Sequence, residues 1–119
     1  MGRSFENLRI WIEARAFVVE IYSLMKDNRD FGFKDQIQRA SVSIMNNIAE
    51  GSEYNSDASF IKFLNIAKGS CSEVKSMLYL CEDLGYCSTC QRVELQTKVL
   101  AVSSGIYNMI AYLSQQKTK

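Results

Sequence analysis

Cys87-Ser-Thr-Cys90 is the pair in this chain spaced like a metal or redox site. Two thiols at that spacing can supply half of a zinc ion's ligands or cycle through a disulfide. The remaining cysteines, Cys71 and Cys81, share a helical stripe but are ten residues apart. That is roughly 15 Å along a helix axis, so both cannot complete a site built on the CxxC pair. The chain has no His, which removes Cys/His zinc sites as well as Ser–His–Asp and Cys–His catalysis. No cofactor, metal or catalytic set follows. Four reduced thiols filling apolar positions are the simpler reading, while Cys90, near a helix N-terminus, also fits a redox thiol.

Hydrogen-bonding side chains make a second candidate. At about 100° per residue, Gln36, Arg39, Ser43, Asn47 and Glu50 fall on one helical stripe. Beside it runs an apolar stripe of Phe33, Ile37, Ala40, Ile44 and Ile48. Polar groups against the edge of a core need partners. On a structural reading they bond the neighbouring helix and fix register or subunit packing. On a functional reading they contact a ligand or RNA. In an antiparallel hairpin centred near residue 54, Arg39 faces about residue 69 and comes within reach of Glu73. Gly69 and Ser70 would let the two backbones approach there. Glu50 sits at a helix C-terminus, where the macrodipole disfavours a carboxylate, and this points to a partner from elsewhere, such as another subunit.

Charge supplies the third candidate. Lys68 and Lys75 share an outer helix face, and Arg3, Arg9, Lys117 and Lys119 could extend it into a basic surface for phosphates. The competing reading is an ordinary solvated face interleaved with Glu and Asp. A net charge of +1 excludes a strongly basic nucleic-acid binder. Tyr54, Tyr79, Tyr86, Tyr107 and Tyr112 could stack on bases, but most fall on or near apolar seams.

The elements that must position these residues are helices. In residues 5–27, Ile10, Ala14, Phe17, Ile21 and Leu24 form one seam. Leu8, Trp11, Val18, Tyr22 and Met25 form a second, and Ser4 is the expected N-cap. A polar break at 26–30 precedes a helix over 33–50, with Gly51 as its C′ residue. Ser56 or Asp57 caps a helix over 57–84, whose seam is Phe60, Leu64, Ala67, Cys71, Val74, Leu78 and Cys81. Gly85 ends it. Ser88 and Gln91 match a capping box for a helix over 89–115, with Leu95, Val99, Val102, Ile106, Met109 and Leu113 facing inward.

Four helices with connections of about five residues imply an all-α, antiparallel up-down-up-down four-helix bundle, one domain over 1–119. Trp11, Ile44, Leu64, Leu78 and Val102 are expected in its core. The complete absence of Pro is compatible with long, unkinked helices. No apolar run reaches the roughly 18–20 residues of a membrane span, and MGRSFENL lacks a secretory h-region. The expected location is cytoplasmic. Helices 1 and 3 carry two apolar seams each, wider than one bundle core covers, so a homo-oligomer is expected.

Two linked motifs resemble a known family. QxxRAxxSIxxNIAEG is matched by Gln36, Arg39, Ala40, Ser43, Ile44, Asn47, Ile48, Ala49, Glu50 and Gly51. FxxFLxxAxGSxxE is matched by Phe60, Phe63, Leu64, Ala67, Gly69, Ser70 and Glu73. Leu8, Trp11 and Tyr22 fit its first helix. The chain is similar to the four-helix-bundle proteins of intervening sequences in bacterial large-subunit rRNA genes, and to the accessory variability protein of diversity-generating retroelements. The chain departs from the pattern at Met45, where Pro is usual, and at Ser52-Glu53-Tyr54, where basic residues are common. The resemblance implies a homopentamer with a central channel and no established enzymatic activity. The expected function is therefore that of a non-enzymatic oligomer binding RNA, DNA or a nucleoprotein such as a reverse transcriptase. A structural or protein-interaction scaffold without nucleic-acid binding is the alternative.

Overall fold

A computed structural model describes residues 4–117, with side chains described through residue 115. A 3-10 turn at Phe5–Asn7 leads into α1 (Arg9–Met25), α2 (Phe31–Ser52), α3 (Asp57–Asp83) and α4 (Thr89–Lys117). No strand occurs among the described residues. Each helix packs on two neighbours, closing the ring α1–α2–α3–α4 in a body of 50 × 20 × 19 Å. Contact registers give the directions. Ser43 meets Ser70 and Gly51 meets Phe60, so α2 and α3 run antiparallel. Glu82 meets Arg92 and the Lys75 carbonyl meets Gln96, so α3 and α4 do too. Glu20–Lys98 and Ile10–Gly105 show the same for α1 and α4.

The caps explain most helix ends. The Ser56 hydroxyl accepts from Ser59 N–H at 3.1 Å to start α3. Ser88 and Gln91 form the expected reciprocal box, at 2.8 and 3.0 Å. At Gly85, φ is +76°, and the Gly85 and Tyr86 N–H groups return to the Glu82 and Cys81 carbonyls. This Schellman closure stops α3. Three expected ends are corrected. The Ser4 hydroxyl bonds the Glu6 carboxylate instead of capping, and α1 begins only at Arg9. Asp30 accepts from Phe33 N–H, which starts α2 at Phe31, before the expected residue 33. Gly51 is not a C′ residue: α2 continues through Ser52.

Gly51 serves packing instead. A Cβ there would stand 2.6 Å from the Phe63 Cβ and 3.0 Å from the Phe60 ring, so only glycine lets α2 lie this close to α3. Gly105 plays the same part between α4 and α1, where a Cβ would come within 2.7 Å of Ile10. Gly69, expected to allow such an approach, has nothing within 4 Å of its Cβ position.

The inward seams of α2 and α3 are buried throughout, as is α4's apart from half-buried Met109. In α1, Met25 rather than Leu24 completes the buried row. Ile44, Leu64, Leu78 and Val102 are in the core. Trp11 is only half-buried, edge-on to Phe5 at 4.9 Å with the Arg15 guanidinium over its ring. Its indole N–H is buried without an acceptor among the described residues.

Candidate functional site

The polar stripe of α2 divides into an inner and an outer half. Ser43 anchors the inner half. Ser70 Oγ on α3 donates to Ser43 Oγ at 2.9 Å. Asn47 Nδ2 donates to the Ser43 carbonyl at 2.9 Å and to its hydroxyl at 3.0 Å. Ser70 is buried, and Ser43 and Asn47 are half-buried. This hydroxyl pair is the cross-helix bond of the stripe, and it fixes the register of α2 on α3.

The outer half faces solvent. The Arg39 side chain is 79% exposed, and its Nε donates to Asp35, one turn earlier on α2, at 2.8 Å. The expected Arg39–Glu73 contact is absent. Asp35 wins because it is held at i−4 on the same helix, whereas Glu73, equally exposed, stands on α3. The side chains of Gln36, Glu50 and Glu73 are exposed, with no hydrogen-bond or ionic partner among the described residues. Gln36, Arg39, Ser43, Ser70 and Glu73 do line one concavity of about 450 Å³ between α2 and α3. A second, of about 400 Å³, adjoins it through Arg39 and Ser43 and takes in Tyr22, Asn46 and Asn47. Six of the seven expected seam residues thus meet around a shared surface, not in a buried ladder, while Glu50 lines neither concavity. Asp35, Asn46 and Tyr22 are additions. The i−4 spacing of Asp35 to Arg39 was a usable signal, while only the packing of α1 on α2 brings Tyr22 there.

Lys68 and Lys75 both lie on the α4 side of α3. Lys68 is half-buried with its ammonium 5.2 Å from the Tyr107 ring centroid, which is a cation–π contact. Lys75 is exposed, at the edge of a groove between α3 and α4. The Lys117 side chain and all of Lys119 lie outside the described residues.

All four cysteines are free. Burial pushes the Cys71 and Cys81 thiols up to about 12, so both stay protonated at neutral pH. Among the described residues no group of His, Cys, Asp or Glu could hold a metal ion, and no helix is long and apolar enough to cross a membrane.

Two polar staples, invisible to the sequence reading, hold the bundle end nearest the α3–α4 corner. Tyr86 donates to Asp30 at 2.6 Å, and its ring lies edge-on to Phe33 at 5.4 Å. The Tyr86 bond, together with the Phe33 N–H, holds the Asp30 carboxyl below its usual range. Glu82 accepts from Thr89 and Arg92, and these bonds lower its pKa likewise. Arg92 also reaches Gln96 and lies over Tyr79.

No curated protein matches the chain. A solved structure of a protein of unknown function from the S23 ribosomal protein family of Bacteroides thetaiotaomicron superposes with a TM-score of 0.79. The two are 26% identical, over 85% of this chain and 97% of that one. The sequence profile of the 23S rRNA-intervening sequence proteins matches residues 6–108, which include both motifs and the surface they build. The chain belongs to the 23S rRNA-intervening sequence protein family.

Proposed function

We propose that this protein is a non-enzymatic helical oligomer, a homopentamer by family resemblance, that binds a macromolecular partner through the outer face of α2. One observation carries the reading: Gln36, Arg39 and Glu50 of the family motif are exposed and make no bond to another helix among the described residues. Residue types that serve only packing have no reason to be specified there. Gln36 and Arg39, with Asp35, Asn46 and Glu73, present both charge signs and two amides around two shallow concavities, and exposed Glu50 lies further along α2. A surface of that kind suits a large polar partner better than a small molecule, whose sites are deeper and mostly apolar.

Resemblance supplies the partner class: RNA, DNA or a nucleoprotein such as a reverse transcriptase. The mixed charge of the face fits the protein part of a nucleoprotein better than bare phosphates. A cytoplasmic location goes with this reading. The second reading, a protein-interaction scaffold that never touches nucleic acid, is favoured by the net charge of +1 and by the carboxylates of Asp35, Glu50 and Glu73.

Titration of structured RNA and duplex DNA into the purified protein at about 50 mM and about 200 mM salt tests the first for bare nucleic acid. Binding that weakens steeply with salt and little with base sequence supports the first. No binding at the lower salt removes bare nucleic acid and leaves a protein contact, either the protein part of a nucleoprotein or the scaffold's partner.

A further inference from the structure

The outward face of α4 differs from every other helix surface here. From residue 99 to residue 116 the helix has no Asp, Glu, Lys or Arg. Its inward positions Val99, Val102, Ile106 and Leu113 are buried. Its outward positions should then be the ones that carry charge. Instead they hold Leu100, 54% exposed, Tyr107, 59%, and Tyr112, 57%, with the small or uncharged Ala101, Ser104 and Asn108 exposed among them. Exposed Val93 extends this stripe, so that Val93, Leu100 and Tyr107 repeat every seven residues. Loss of charge with enrichment in tyrosine is the composition of an interface core.

The two edges of this face carry opposite charge. On the α3 side, Lys75 lines a groove with Val99, Leu100 and Ser103, and Lys68 lies over Tyr107. On the α1 side, Glu13 and Glu20 line a groove with Ala16, Ala101 and Val102, and Glu94 extends it. Two cations already sit there: Lys98 is held by Glu20 at 2.6 Å and lies 3.6 Å from Glu94, and Arg9 donates to Glu13 at 3.0 Å, which leaves Glu13, Glu20 and Glu94 with one negative charge in excess. A charge-free strip with a basic and an acidic margin is complementary to a copy of itself placed head to tail. A two-fold axis running along α4 would set the same margins, basic on acidic, against each other, whereas one running across α4 would oppose like charges.

We infer that the outward face of α4 is a subunit contact whose occupant is a second copy of this chain, its glutamate margin set against the lysine margin of the first. The inference rests on the oligomeric reading above and supplies its surface. It assigns Lys68 and Lys75 to subunit contact rather than to phosphates. The net charge of +1 sets little repulsion against such association.

Light scattering of the full-length protein at micromolar concentration tests this, with circular dichroism confirming that each variant is folded. The wild type is expected at a multiple of 13.6 kDa and Leu100→Asp at the monomer mass. Lys75→Glu, at an exposed position, and Glu13→Lys, at a half-buried one paired with Arg9 in the wild type, should each weaken association by about tenfold or more. The double variant should recover most of that loss. A monomeric wild type would refute the oligomeric reading and the inference with it. An oligomer that survives both Leu100→Asp and the charge reversals would overturn the inference alone. So would a Lys75→Glu protein of unchanged mass that no longer binds RNA, since Lys75 would then be a phosphate contact.

Discussion

On the inner side of the α2–α3 pair, a Cβ at Gly51 would stand 2.6 Å from the Phe63 Cβ, whereas on the outer side a Cβ at Gly69 would meet nothing within 4 Å. Both glycines belong to the family motifs, so one motif pair serves two purposes. Inward, small residues and one hydroxyl pair set how closely and in what register the helices lie. Outward, polar side chains and a bare stretch of backbone face solvent. The inner side should therefore answer to mutation through stability, and the outer side through association.

The largest effect belongs to the inner side. Leu64, fully buried on the inward seam of α3, should cost about 2–5 kcal/mol on replacement by Ala. A smaller value in urea denaturation would mean that the inner side is loosely packed. Gly51→Ala places a methyl against backbone-near atoms of Phe63 that cannot swing away. We expect about 1–3 kcal/mol of destabilisation, the usual range for overpacking.

Gly69→Ala should have the opposite sign. Its position lies mid-helix in α3 and in open space, and Ala is the better helix former by about 0.5–1 kcal/mol. A thermal melt that moved down instead would show that the outer side is not open. If assembly nevertheless fell while the monomer fold grew firmer, a second backbone would be packing at Gly69.

The staple at the bundle end gives a pH test. The carboxyls of Asp30 and Glu82 are held below their usual range by Tyr86 and by Thr89 with Arg92. A depressed folded-state pKa contributes stability above the unfolded value, and that stability is lost as pH falls through the folded value. Unfolding midpoints should thus drop below about pH 4. Tyr86→Phe, which removes the first cause of the Asp30 shift, should reduce stability at neutral pH and flatten that acid slope. An unchanged slope would remove Asp30 from the account.

Much of this was legible in the sequence. Apolar spacing located four helices and nearly all of their buried rows, and Ser88 with Gln91 announced the α4 cap. What was not legible depended on competition between partners. Arg39 could reach Asp35 or Glu73 by spacing alone, and the nearer carboxylate on its own helix took it. Gly51 reads equally as a helix end and as a close crossing, because both settings exclude a Cβ. Tyr86 and Asp30 are 56 residues apart in sequence, and no periodicity connects them. The candidate site was the least legible part. The residues of the stripe were identifiable, but whether they faced a neighbour or water was decided by the rotation of α2 on α3.

The central claim, that the outer half of the stripe serves recognition and not folding, is met most directly by one variant. Urea denaturation of Gln36→Ala/Arg39→Met/Glu50→Gln should give an unfolding free energy within about 1 kcal/mol of wild type, since exposed substitutions usually cost little. A loss of about 3 kcal/mol or more, the scale of a broken buried polar network, would show that these side chains hold the fold together and leave the outer face of α2 without its proposed role.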